Sequence, residues 1–298
     1  MPSDQASSTT VADATTMPHE APKEQTKFER EKHIQYLKRS LQMLPQPYTS
    51  MDTHRMTFGM FALGGLELLG VLEESVSEAN RQAWIEWVYS QQRVPDSQGS
   101  PGMAAIRFIQ ECQTYDHGFS QSPQQESHGG STYCAVATLG LIGGEALWDQ
   151  KTMTRNVQDG EDEAAFELRK SRAGFLDKEG TRKWCLQRQT TGFQGRINKK
   201  TDTCYSFWIG ASLAIMDSFD LVDFDCNRGF LLETQHKVFG GFGKWVDTYP
   251  DALHSYMGIA SLSFMSEPGI LPLDPLLNIS KRMQERIYTQ TVFWKDSR

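Results

Sequence analysis

The chain has 298 residues, 39% hydrophobic and 22% charged, and a net charge of −7. That length gives one large domain or two small ones, and the acidic balance argues against a general nucleic-acid-binding surface. Five cysteines (Cys112, Cys134, Cys185, Cys204 and Cys226), odd in number and without a framework spacing, indicate a reduced cytoplasmic compartment rather than a disulfide scaffold.

The most apolar stretch, Phe58 to Leu72, is interrupted by Glu67 and is too short to span a bilayer. Residues 1–27 are rich in Ser, Thr, Pro, Glu and Lys, lack the apolar run of a signal peptide, and read as a disordered tail. The folded domain is expected over 28–290, with 291–298 as a C-terminal tail. Phe28, His33, Tyr36, Leu37 and Leu41 stand at helical spacing, and Pro45 and Pro47 end that helix. Asp52 or Thr53 is placed to cap a second helix, Arg55 to Gly70. A third runs from Glu78 to Gln92, a turn-rich link covers Pro95 to Gly102, and another helix covers Met103 to Gln113. With no long alternating pattern, the chain reads as all-α.

The second half repeats itself. Gly-Phe recurs at Gly118-Phe119, Gly192-Phe193 and Gly241-Phe242, each after an outer helix ending near Gln113, Gln189 or Gln235. A loop follows each Gly-Phe, then a helix of small residues closing on Thr138-Leu139, Ser212-Leu213 and Ser261-Leu262. The longer first interval carries an insertion that includes Asp159 to Glu163. Alternating outer and inner helices suit an α–α toroid, a barrel of helical hairpins around a cavity; an open α-solenoid fits the same repeat.

The unusual residues sit in the loops before the inner helices. His128, Asp202, Cys204 and His254 fall in neighbouring units. Carboxylate, thiolate and imidazole suit zinc, and three protein ligands leave a fourth position open, as in catalytic sites. Asp202 as a helix N-cap and Cys204 as a small core residue are the plain alternatives. Arg196, Lys199 and Lys244, with His128 and Tyr205, form a second group suited to a diphosphate and to the charge that develops as it leaves; a solvated charged loop is the alternative. The aromatics Phe58, Phe61, Tyr133, Phe207, Trp208 and Tyr256 are core or cavity wall, with core favoured for Phe58, Phe207 and Tyr256.

The segments Glu126-Ser127-His128-Gly129-Gly130-Ser131-Thr132, Asp202-Thr203-Cys204-Tyr205-Ser206-Phe207-Trp208 and Pro250-Asp251-Ala252-Leu253-His254 resemble the signatures of the protein prenyltransferase β subunits. Within them the chain is most similar to the type I geranylgeranyl-transferring branch of fungal kind, from about His33 to Lys281. The resemblance implies an α–α barrel with zinc on Asp202, Cys204 and His254. It implies a diphosphate held by His128, Arg196, Lys199 and Tyr205, and a lipid pocket touched by Thr57, Phe61, Cys134 and Trp208. Lys244 stands where farnesyl-transferring relatives hold magnesium, so no Mg²⁺ is expected. Thr57 replaces a bulky Trp and leaves room for geranylgeranyl diphosphate. The acceptors implied are proteins ending Cys-a-a-X, X often Leu, such as Rho-type small GTPases, and the partner is a separate helical-repeat α subunit in a heterodimer.

One departure stands out. Between Gln92 and Phe108 the chain is shorter than the family pattern by about two hairpins, so the ring is expected to be incomplete and activity is in question. A non-catalytic relative that keeps zinc and its partner is the first alternative. A farnesyltransferase, opposed by Thr57 and Lys244, is the second. A terpene cyclase lacks its aspartate-rich motif here.

Overall fold

A computed structural model of the chain describes residues 27–43, 53–91, 102–141 and 177–290. The tails 1–26 and 291–298, Asp52, Pro45 and Pro47, the link at 92–101 and the insertion at Asp159 to Glu163 lie outside the described residues.

The described chain is helical: α1 (Arg30–Gln42), α2 (Arg55–Leu68), α3 (Leu72–Ser75), α4 (Glu78–Gln91), α5 (Gly102–Cys112), α6 (Gly129–Leu141), α7 (Lys178–Leu186), α8 (Thr203–Ile215), α9 (Phe224–Thr234), α10 (Ala252–Phe264) and α11 (Lys281–Gln290). Two short antiparallel pairs complete it: β1 (Phe242–Gly243) with β2 (Pro250–Asp251), and β3 (Leu273–Asp274) with β4 (Ile279–Ser280). The expected helices are present. Thr53, however, does not cap α2: the N-cap is His54, with no side-chain cap bond, and the Thr53 hydroxyl meets the His54 ring instead.

Four hairpins (α1/α2, α5/α6, α7/α8 and α9/α10) place α6, α8, α10 and α2 side by side as an inner row. Their small residues permit this approach. At Gly64 on α2 a Cβ would stand 2.8 Å from the Tyr256 ring on α10. No comparable packing joins α6 back to α2 among the described residues, so the row is an arc with two ends. Phe119, Phe193 and Phe242 are fully buried at equivalent turns, each worth about 1.5–3 kcal/mol of apolar burial. Each of these phenylalanines forms a one-residue bridge with the Gln that ends the outer helix: Gln113–Phe119, Gln189–Phe193 and Gln235–Phe242.

Those glutamines also tie hairpin to hairpin. Gln113 accepts from the Asp177 backbone N–H at 3.2 Å and donates to the Thr181 hydroxyl at 3.1 Å, at the entry to α7. Gln189 accepts from the Asp223 N–H at 3.0 Å and donates to its carbonyl at 2.8 Å, at the entry to α9. Gln235 reaches across the chain, accepting from the Glu29 N–H at 3.1 Å and donating to the Lys27 carbonyl at 2.7 Å. The last repeat therefore grips α1 as if α1 began the next repeat, which seats the N-terminal hairpin beside α9/α10.

His33 reinforces that joint. It is fully buried between Phe28 and Phe242, with ring centroids 4.9 and 4.6 Å away. Its Nδ1 accepts from the Gly241 N–H at 2.9 Å and its Nε2–H faces the Gln235 amide oxygen at 3.2 Å. Burial lowers its pKa from 6.5 to about 4, against a smaller opposing effect of Gln235. Between those values the unfolded chain binds the extra proton, so stability falls as pH drops through this window, by roughly 3 kcal/mol in full. Urea midpoints from pH 7 to pH 4 should fall more steeply for the wild-type chain than for His33→Gln; equal slopes would remove His33 from the acid response.

Candidate functional site

The repeat brings the loops to one end of the arc in register. Nine residues after each turn phenylalanine, Phe119 leads to His128, Phe193 to Asp202 and Phe242 to Asp251. His128 and Asp202 donate backbone N–H to Phe119 and Phe193 at 2.9 and 3.1 Å, and Asp251 pairs with Phe242 in the β1–β2 ladder. Each immediately precedes an inner helix, and three residues further on stand Ser131, Tyr205 and His254. The chemistry-bearing side chains thus project from the first turns of three adjacent helices.

Asp202, Cys204 and His254 meet, with their donor atoms all within 4.8 Å of one another. Asp202 is also the N-cap of α8, its Oδ1 accepting from the Cys204 N–H at 3.0 Å, and Cys204 also belongs to the main core cluster. Both plain roles are therefore real, and neither keeps the three donor atoms apart. His254 Nε2 faces Asp202 Oδ1 at 3.1 Å, while Nδ1 is held by Asp251 Oδ2 at 2.6 Å. Burial alone would lower the His254 pKa, but its bonds to Asp202 and then Asp251 outweigh that and raise it to about 9. Burial opposes ionisation of Asp202 as well, and the His254 bond overcomes it, keeping the carboxylate charged. Burial, and then Asp202, push the Cys204 thiol well above its ordinary range.

This set fits zinc in the chemistry of its donors: one oxygen, one sulfur and one nitrogen, gathered within 4.8 Å of one another. Asp251 supplies the carboxylate that fixes the ring of a ligating histidine. Its role was not singled out from sequence, although its place at the Asp202 position of the repeat marks it.

Of the second group, His128 and Tyr205 meet, while Arg196, Lys199 and Lys244 do not contact them by hydrogen bond among the described residues. The Gly130 N–H donates to His128 Nδ1 at 3.1 Å, so the proton of the neutral imidazole is on Nε2, and that N–H donates to the Tyr205 oxygen at 2.9 Å. Burial, then Arg196, lowers the His128 pKa and keeps it neutral. Burial, then Cys204 and Asp202, pushes Tyr205 up to about 12, so its hydroxyl keeps its hydrogen. Arg196 pairs with Glu126 at 2.9 Å in a surface ion pair, a partner not foreseen from sequence. Lys199 is exposed on the same loop, with no ion pair among the described residues. Lys244 lies 3.6 Å from Asp202 Oδ2 and 4.8 Å from the Trp245 ring centre, on the metal side.

His128 and Arg196 line a cavity of about 900 Å³, whose wall includes Phe108, Ile109, Cys134 and Trp208. Thr57 and Phe61 are not on it. Thr57 is exposed on α2, and Phe61 is buried against Tyr256, with ring centroids 5.6 Å apart. A second cavity of about 880 Å³ lies at the other end of the arc, between α1, α2 and α4, walled by Phe58, Met60, Leu63 and Trp84. Phe207, Tyr256 and Tyr133 are core.

Hairpins of α-helices in an inner and an outer row, with Asp202, Cys204 and His254 gathered at one end of the inner helices, define a protein of the α–α toroid class. The chain belongs to the prenyltransferase α–α toroid domain family, whose model matches residues 28–103 and 94–279. A type-1 geranylgeranyl transferase β subunit of Dictyostelium discoideum is 35% identical over 248 residues, 73% of this chain and 62% of the relative. That of Arabidopsis thaliana is 40% identical over 181 residues, 59% of this chain and 43% of the relative. A farnesyltransferase β subunit of Schizosaccharomyces pombe is 24% identical over 335 residues, covering 81% and 80%. The chain thus spans less than two thirds of the two type-1 relatives. Among solved structures, Candida albicans protein geranylgeranyltransferase-I complexed with GGPP shares the fold at a TM-score of 0.70 and 20% identity, covering 88% of this chain and 98% of that one. No described helix is long and apolar enough to cross a membrane.

Proposed function

We propose that the chain is the β subunit of a type I protein geranylgeranyltransferase. In this reading it pairs with an α subunit in the cytoplasm and moves geranylgeranyl from its diphosphate to the cysteine of proteins ending Cys-a-a-X. The observation that carries this is the convergence of Asp202, Cys204 and His254 beside a cavity lined by His128 and Arg196. Bound there, zinc supplies a Lewis acid that keeps an incoming thiol deprotonated near neutral pH.

The chain's own residues do the rest. Asp251 holds His254 Nδ1, which leaves Nε2 facing Asp202 as the nitrogen that would hold the metal. The His128 N–H occupies a lone pair of the Tyr205 oxygen, which leaves the Tyr205 hydrogen to donate to a diphosphate oxygen. Arg196 and Lys199 add positive charge where the leaving group gains negative charge. Lys244 stands at the position where farnesyl-transferring relatives hold magnesium, and its ammonium takes the place of that ion, so no Mg²⁺ requirement is expected. Cys134 and Trp208 contact the lipid from the cavity wall.

The described row of inner helices has two ends, which favours one second reading, a relative that binds zinc and its partner without transfer. The test is co-expression with an α subunit, followed by zinc analysis and transfer of labelled geranylgeranyl or farnesyl diphosphate to a peptide ending Cys-a-a-Leu. One zinc with preferential geranylgeranyl transfer is expected. Zinc without transfer of either lipid establishes the second reading, preferential farnesyl transfer makes the chain a farnesyltransferase subunit, and no zinc overturns all three.

A further inference from the structure

Tyr205 owes its place to two residues that carry no side chain. Its ring lies directly over Gly195, where a Cβ would stand 2.1 Å from Cζ and 2.4 and 2.5 Å from the two Cε atoms. On another side Gly129 leaves room for Tyr205 and Ile209 together, since a Cβ there would stand 3.1 Å from Tyr205 Cδ1 and 3.1 Å from Ile209 Cδ1 and Cγ1. The two glycines are tied to each other, the Gly129 N–H donating to the Gly195 carbonyl at 2.8 Å. Both are buried, and neither has a positive φ, so backbone freedom is not why glycine stands at these positions.

The repeat supplies an internal control. Two residues after the turn phenylalanine, Gly195 is matched by Gln121 and Lys244 in the other two loops. At the first residue of the inner helix, Gly129 is matched by Thr203 and Ala252. The turn and the helix start therefore form with ordinary residues in both neighbours. What sets Gly195 apart is its neighbour three residues into α8: Tyr205, where the other repeats carry Ser131 and His254.

We propose that Gly195 and Gly129 form a backbone slot that positions Tyr205 against His128 for binding a phosphate-class anion. The slot clamps the ring so that its oxygen accepts the His128 N–H and its hydroxyl hydrogen is held ready for the ligand. Because the walls belong to two hairpins, the slot also fixes the α5/α6 loop against the α7/α8 loop. The role in anion binding rests on the function proposed above; the slot itself does not.

The experiment uses the zinc-loaded chain paired with an α subunit, and inorganic pyrophosphate as the probe. Dissociation constants are measured for wild type, Gly195→Ala, Tyr205→Phe and the double variant, with thermal melting as the fold control. Each single change is expected to weaken binding about tenfold, and the double variant no further, since Gly195 acts only through Tyr205. A double variant weaker by about 100-fold, or a silent Gly195→Ala, overturns the proposal. Gly129→Ala, whose 3.1 Å approach falls on Tyr205 and Ile209 alike, is expected to give a smaller effect in the same direction, and combined with Tyr205→Phe, where no further loss is expected, it stands in if Gly195→Ala fails to fold.

Nitrogen-15 histidine spectra give a second readout. The His128 Nε2 proton should be protected from exchange in wild type and exposed in Gly195→Ala; unchanged protection overturns the slot. If wild type binds no pyrophosphate, the functional reading fails, and these spectra still decide whether the slot exists.

Discussion

Cys204→Ser is expected to lower zinc affinity by more than 100-fold while changing the melting of the metal-free chain by no more than about 1–2 kcal/mol. Loss of a residue that merely orients a zinc ligand costs roughly 10–100-fold, and a serine oxygen is a far poorer partner for the ion than a thiolate. The small stability change follows from near-equal volume and from the Asp202 carboxylate, close enough to accept the new hydroxyl. Asp202→Asn separates two roles of one residue. Asparagine caps a helix as well as aspartate does, so the N-terminus of α8 survives while the charged ligand is lost. Asp251→Asn, which weakens the hold on His254 Nδ1, belongs in the 10–100-fold range. Competition with a chromogenic chelator measures all three. An affinity within tenfold of wild type for Cys204→Ser would take Cys204 out of the ligand set.

The second large effect is on stability. Glu67, on α2, is only 6% exposed, yet carries a charge. Burial alone would raise its pKa; bonds from Arg282 and Ser280 outweigh that and hold it below the usual value. Arg282, on α11, grips both carboxylate oxygens at 2.7 and 2.6 Å, and the Ser280 hydroxyl adds a third bond. The C-terminal helix is thereby fastened to the inner row. Arg282→Ala strands a buried carboxylate and is expected to cost about 3–5 kcal/mol. Glu67→Leu leaves a guanidinium whose side chain is 42% exposed and can turn to water, so it costs less. Adding Glu67→Leu to Arg282→Ala should therefore recover part of the loss. Denaturant unfolding of the three variants checks the order; a double variant weaker than Arg282→Ala alone would contradict it.

The Glu67–Arg282 clamp shows what the sequence withheld. Glu67 reads as an interruption in an apolar stretch, and its partner stands 215 positions away with no pattern linking them. Gln113, Gln189 and Gln235 read as markers of helix ends because their spacing from Gly-Phe repeats; their grip on the next hairpin involves backbone that carries no sequence signal. Thr53 has the residue type of a cap but not the position, because capping depends on the angle at which the chain enters the helix, and that angle is set by packing. The lipid-facing candidates divided for a related reason. Cys134 and Trp208 share a cavity wall, whereas Phe61 turned into the core against Tyr256, as helical spacing alone does not tell inner from outer faces of a buried helix.

The hairpin repeat, the all-α class and the phase at which His128, Asp202, Cys204, Tyr205 and His254 appear are legible in the order of residues alone. Those follow from local periodicity and from spacing to the turn phenylalanines, which any register of the fold must respect. It took the folded chain to bring the Asp202 cap within reach of Cys204 and His254, to set Asp251 on the His254 ring, to rest Tyr205 between Gly129 and Gly195, and to leave the described row of inner helices with two ends. Each of these depends on distances between residues far apart in the chain. Such distances are set where side-chain volumes on neighbouring helices meet, which no stretch of sequence read alone contains.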